Sequence, residues 1–157
     1  AVNPTELGNR IKNTISKPKV IMKKLDEDPA ELAKTHQVLK INAVEGLKFG
    51  QSSLEAKADK PIAIIVANPD LLQHNFVLGK PGSLQRLGAA ADKLITAPNA
   101  IEIGYVPQTE EVISATGLLD PGTTATLKVK ALPKGDYPFL CTFPGHWRIM
   151  QGVLNVR

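Results

Sequence analysis

Near its C-terminus the chain reads Cys141-Thr142-Phe143-Pro144-Gly145-His146-Trp147-Arg148-Ile149-Met150. A thiol, an imidazole and a thioether therefore share one short segment. A second imidazole, His74, stands far upstream and is followed by Asn75. Two imidazoles and a thiolate, with a thioether as a weak axial donor, suit copper: the sulfur donors favour Cu(I) and the imidazoles keep Cu(II) acceptable. Each residue also has a plainer reading. A lone cysteine is usually a small buried hydrophobe and a lone methionine usually packs a core, while a single histidine on a strand is usually a core or surface residue. His36 has no ligand-like companions and keeps that plain reading.

The spacing has a mechanical reason. A short loop between two rigid strands lets three donors converge without waiting for a metal to organise them. Pro144 restricts the backbone inside the loop, and Gly145 lets it turn tightly beside a ligand. The fourth donor arrives from a strand distant in sequence, which ties two parts of the fold together.

The elements that must hold these residues are mostly strands. Leu39, Ile41 and Ala43 alternate with Lys40 and Asn42, and Leu54, Ala56 and Ala58 alternate with Glu55, Lys57 and Asp59, as half-buried strands do. Ile62–Ala67 is apolar on both faces and predicts an internal strand ending in the turn Asn68-Pro69-Asp70. His74, Phe76 and Leu78 form another alternating set. Further strands are expected around Ile101–Ile103, Val112–Ser114, Thr124–Ala131, Tyr137–Cys141 and Gly152–Arg157, with turns at Asp120-Pro121-Gly122 and Pro133–Asp136. Tyr137, opening its strand after Leu132-Pro133, matches a tyrosine corner. A short helix over residues 83–94, capped by Ser83, interrupts the strands. The fold class is all-β, a Greek-key sandwich over residues 36–157. Residues 1–35 read as a partly helical arm or linker: Asn3-Pro4-Thr5 opens a helix with Leu7, Ile11 and Ile15 on one face, Lys17-Pro18 ends it, and Pro29 begins another through Lys34.

Cys-x4-His-x3-Met with an upstream His-Asn resembles the azurin and auracyanin branch of the cupredoxins. The resemblance spans about residues 36–157 and includes Asn68-Pro69-Asp70, His74–Leu78, Tyr137–Leu140, the Cys141–Met150 loop and Gly152-Val153. Lys80–Leu84, Tyr105–Gln108 and Phe143–Trp147 are similar to the cupredoxin domains attached to large bacterial membrane-bound or periplasmic dehydrogenases. This implies one copper ion, Cu(II)/Cu(I), bound by His74 and His146 nitrogen, the Cys141 thiolate and Met150 as the long axial ligand. It also implies that Asn75 ties the ligand segments together and that the Phe143 amide donates to the sulfur. Phe76, Pro144 and Trp147 are candidates for an apolar docking rim around His146; Trp147 stands equally for a shield over that edge. Two departures matter. Gln73 occupies the position of the azurin glycine whose carbonyl approaches the metal, so no fifth contact is assigned, and one cysteine makes the azurin disulfide impossible.

These residues imply an electron carrier, not an enzyme, that exchanges single electrons with redox-protein donors and acceptors. A catalytic copper protein needs a second site with several more histidines, and the chain has three in all. Copper storage or delivery asks for an exposed, exchangeable site, and a zinc-binding structural module would be redox-silent. A role as a non-catalytic domain of a larger oxidoreductase fits equally. The 19 basic and 15 acidic residues give a net charge of +4 without one basic block, so the footprint of nucleic-acid binding is missing, although the surplus biases docking toward an acidic partner. No apolar stretch reaches the roughly 20 residues that span a bilayer. No basic-then-apolar leader opens the sequence, so any signal peptide is expected to have been removed or left out. The expected location is periplasmic or otherwise extracytoplasmic, and the arm is compatible with a membrane tether or a link to a larger chain.

Overall fold

The period-two runs become strands whose register decides where the ligand segments lie. The computed structural model describes residues 20–157, so the helix expected from Asn3 to Ile15 and its stop at Lys17-Pro18 lie outside the described residues. In chain order the elements are α1 (Pro29–Leu32), β1 (Gln37–Val44), β2 (Lys48–Phe49), β3 (Ser53–Ala56), β4 (Ile62–Asn68), β5 (Val77–Gly79), α2 (Leu84–Leu94), β6 (Val112–Ala115), β7 (Thr123–Val129), β8 (Gly135–Leu140) and β9 (Gln151–Val156). One sheet runs β2-β1-β4-β7 and the other β3-β9-β8-β5-β6. The pairs β1–β4 and β3–β9 are parallel, and the remaining pairs are antiparallel. This is the expected Greek-key sandwich.

Ile41, Ile62, Ile64, Val66, Leu127, Phe139 and Leu154 fill the space between the sheets. Phe49, Phe76 and Phe139 form an aromatic knot there, with ring centroids 5.0 to 5.5 Å apart. Burial of each such side chain contributes about 1.5–3 kcal/mol. Three strands, β4, β5 and β8, carry apolar residues on their outer faces as well, because helices cover them. Leu32 of α1 packs on Ala63 and Ile65 of β4; α1 itself starts at Pro29 behind Asp28, whose carboxylate accepts from the Ala30 amide at 2.9 Å. On the other sheet, Leu87 and Ala91 of α2 pack with Trp147 against Val77 and Leu140. The alternation expected over His74, Phe76 and Leu78 is therefore absent from the burial, and every residue from His74 to Gly79 is buried.

Two expectations are corrected, and one strand was not expected. The segment Ile101–Ile103 is a turn, not a strand: Tyr105 donates back to the Ala100 carbonyl at 2.8 Å, and Ile101 faces solvent. Consecutive left-handed residues, Gly104 and Tyr105 (φ 63° and 56°), end that turn. Ser83 stands at the helix start, but its side chain makes no capping bond; it is wedged against Gly79, where an added Cβ would lie 2.5 Å from its hydroxyl. The short strand β2 had no period-two signal, being only two residues long.

The tyrosine corner is present, with the Tyr137 hydroxyl donating to the Pro133 carbonyl at 2.7 Å. Tyr137→Phe should lower the unfolding free energy by about 0.5–1.5 kcal/mol, the net value of one such bond, measured by denaturant unfolding, and leave metal binding unchanged.

Candidate metal centre

Cys141 directly follows β8 and Met150 directly precedes β9, so the ten-residue segment is the turn of a hairpin. The Cys141 amide donates to the Met150 carbonyl at 3.0 Å and closes its base. Inside it, His146 donates to the Phe143 carbonyl at 3.1 Å and accepts from the Met150 amide at 2.9 Å. Gly145 takes φ 80°, the left-handed conformation that costs glycine least. His74 arrives from outside the hairpin. Its backbone pairs both ways with Leu119, at 2.7 and 3.2 Å. Three residues on, Val77 pairs with Leu140, which lays the His74 segment beside the start of the loop.

The Cys141 sulfur lies 3.9 Å from His74 Nδ1 and 3.7 Å from His146 Nδ1, and all three donor atoms lie within 4.8 Å of one another. Donors about 2.0 Å (nitrogen) and 2.3 Å (sulfur) from one first-row metal ion at trigonal angles stand roughly 3.7 Å apart. Two borderline nitrogens and a soft sulfur at this spacing fit one copper ion. Met150, at the far end of the same hairpin loop, is wholly buried.

The site is dry. Cys141 and His74 are fully buried, and His146 is 6% exposed. Burial pushes the Cys141 thiol up to about 11, with the Asn75 and Phe143 amides, which hydrogen-bond to the sulfur, pulling the other way. Burial pushes His146 down to about 4; the neighbouring His74 adds to this and Asp70 opposes it. Without metal at neutral pH, Cys141 is thus a thiol and His146 is neutral.

Asn75 joins the two ligand segments. Its carboxamide donates to Thr142 Oγ1 at 2.9 Å and to the Gly104 carbonyl at 2.8 Å, and it accepts from the Thr142 amide at 2.7 Å. Its own amide points at the Cys141 sulfur at 3.4 Å. The partners Thr142 and Gly104 carry no sequence signal of their own. Two carboxylates also escaped the sequence reading. Asp70 accepts from His74 Nε2 at 2.7 Å, a contact visible in sequence only as an i,i+4 spacing after a turn. Asp92 of α2 takes the Trp147 indole at 3.0 Å and the Arg148 guanidinium at 2.8 Å; Arg148 first, then Trp147, hold its carboxyl below the usual range. These bonds fasten the loop to α2.

The expected rim is only partly a surface. Phe76 is wholly buried in the aromatic knot, so it lines no docking face. Trp147 is also buried, lying on Gly88 of α2 so closely that a Cβ there would meet its ring at 2.5 Å. Pro144 is half-buried, as is Phe143, whose ring stands 4.8 Å from His146 and 5.4 Å from Tyr105. Ile149 is 61% exposed on the same loop. His36 bonds to its neighbour Thr35 and takes no part in the cluster.

No family model matches the chain. Auracyanin-A of Chloroflexus aurantiacus is 31% identical over 114 residues, covering 71% of this chain and 68% of the relative. Azurin-1 of Alcaligenes xylosoxydans is 30% identical over 122 residues, covering 71% and 91%. Auracyanin-B of Chloroflexus aurantiacus is 29% identical over 137 residues, which span 84% of this chain but only 54% of that longer relative. Among solved structures, auracyanin A, described as a "blue" copper protein of Chloroflexus aurantiacus, superposes with a TM-score of 0.69 at 28% identity, covering 77% of this chain and 98% of that one.

Asn75→Ala strands the Thr142 amide and the Gly104 carbonyl. At about 1–3 kcal/mol for each unsatisfied buried group, the metal-free protein should lose about 2–6 kcal/mol of stability in chemical denaturation. Copper binding should also release the thiol proton. With the thiol at about 11 and His146 at about 4, apparent copper affinity should rise about tenfold per pH unit between pH 7 and 10. Titration against a competing chelator at several pH values checks this.

Proposed function

The chain belongs to the azurin and auracyanin family of cupredoxins, and from that premise we propose that His74, Cys141 and His146, with Met150 as axial ligand, hold its single copper ion for outer-sphere electron transfer. The protein is a type 1 copper electron carrier and not an enzyme. The observation that carries the ligand assignment is the convergence of three buried donors at 3.7 and 3.9 Å on one point. Copper supplies a one-electron couple tuned by its ligands. The chain supplies the rest. It fills the coordination positions with protein atoms, excludes water, and holds the donors by bonds independent of the metal, so little must move when the charge changes.

Electrons pass at the loop edge, where His146 lies behind the half-buried Phe143 and Pro144 and beside the exposed Ile149. This apolar edge is where a redox protein docks. Among the described residues no helix is long and apolar enough to cross a membrane. Work outside the cytoplasm is supported by a relative named outer membrane protein H.8, from Neisseria gonorrhoeae, 35% identical over 86 residues. A storage or delivery role fits less well, because donors this enclosed exchange metal slowly.

The test is the visible spectrum after adding Cu(II). An intense thiolate-to-copper charge-transfer band that vanishes on reduction, and is absent from Cys141→Ser, is the expected result. A weak band that survives in Cys141→Ser overturns the ligand assignment.

A further inference from the structure

The turn before His74 is built more carefully than a connection requires. The Asn68 carboxamide donates to the Leu72 carbonyl at 2.8 Å and the Leu119 carbonyl at 2.9 Å, and accepts from the Asp70 amide at 3.1 Å. One Asp70 oxygen takes the Leu71 amide at 2.8 Å; the other faces His74 Nε2 at 2.7 Å. The Asp70 side chain is only 10% exposed, and the His74 ring is wholly buried. Both carboxylate oxygens are therefore hydrogen-bonded within the turn and to the ring it faces.

A carboxylate can only accept, so the His74 Nε2 that faces Asp70 carries a proton, which leaves Nδ1, on the Cys141 side, as the nitrogen available to a metal. That fixes the tautomer a metal needs. It also sets a negative charge against the back of a ligand ring in a site of low dielectric, where charge acts over several ångströms with little screening. The oxidised ion has one more positive charge than the reduced ion. A fixed negative charge therefore favours Cu(II) over Cu(I).

We infer that Asp70 is a positioning residue that orients His74 and lowers the reduction potential of the copper centre. This rests on the copper reading above. Asp70→Asn keeps one acceptor for the Nε2 proton and removes the charge. Measured by voltammetry on the copper-loaded protein, it should shift the Cu(I)/Cu(II) equilibrium toward Cu(I) about tenfold, about 59 mV upward for a one-electron couple. Asp120→Asn is the matched control, because it removes an equal charge from an exposed residue bonded to Gln73, and it should shift the equilibrium much less. In the Cu(I) wild-type protein, proton NMR should show the His74 Nε2 proton far downfield and slow to exchange. That measurement decides the orienting role even if Asp70→Asn fails to load copper, in which case the potential is read on Asp70→Ser, which also removes the charge and keeps an acceptor oxygen. A blue wild-type protein whose potential ignores Asp70→Asn, moves downward, or moves equally with Asp120→Asn overturns this inference alone, as does absence of the slow proton. A wild-type protein with no cysteine-dependent band overturns the copper reading and this inference with it.

Discussion

The hydrogen bonds of Asn75 hold together two segments that the chain separates by 67 residues, and the site exists because they do. One amide side chain satisfies the Thr142 amide, the Thr142 hydroxyl and the Gly104 carbonyl, all in a region closed to water. Buried polar groups have no alternative partners there, so the bonds are expensive to break and specify one arrangement. The Asn75 backbone amide, fixed by the same clamp, is aimed at the Cys141 sulfur. The join between the two segments and a hydrogen bond to the sulfur thus come from one residue.

Around that clamp, the rest of the molecule is arranged to keep the loop from moving. The hairpin base pairs Cys141 with Met150. Asp92 reaches from α2 to hold Trp147 and Arg148, while Gly88 gives the Trp147 ring room to lie flat on the helix. The Phe49–Phe76–Phe139 knot fills the core of the sandwich, in the same buried cluster as Cys141. Preorganisation of this kind lowers the cost of changing oxidation state, since the donors are already placed by bonds that do not involve the metal.

Local pattern and tertiary context divided the work unevenly along the chain. Where one face of a strand is buried and the other wet, as in Leu39–Ala43, alternation was readable and the strand is there. Where a helix covers the outer face, as over Val77 and Leu140, alternation vanished from the burial although the strand remained. Ile101–Ile103 failed for the opposite reason. Its β-branched residues favour a strand in isolation, yet Gly104 and Tyr105 turn the backbone back so that the Gly104 carbonyl meets Asn75.

By itself the sequence determined the chemistry: a thiol, an imidazole and a thioether at fixed spacing in one loop, a distant His-Asn, and too few histidines for a second centre. Those are matters of residue type and count, which no fold can alter. Tertiary structure decided what lies behind and around the ligands. It buried Phe76 and Trp147, which sequence alone left free for a surface, because their large apolar rings gain more from a core or a helix face than from water. It also brought Asp70 to the back of His74 and Asp92 to the loop. A carboxylate is silent in sequence about its partner, since its interactions depend on distance through space and on the dielectric around it.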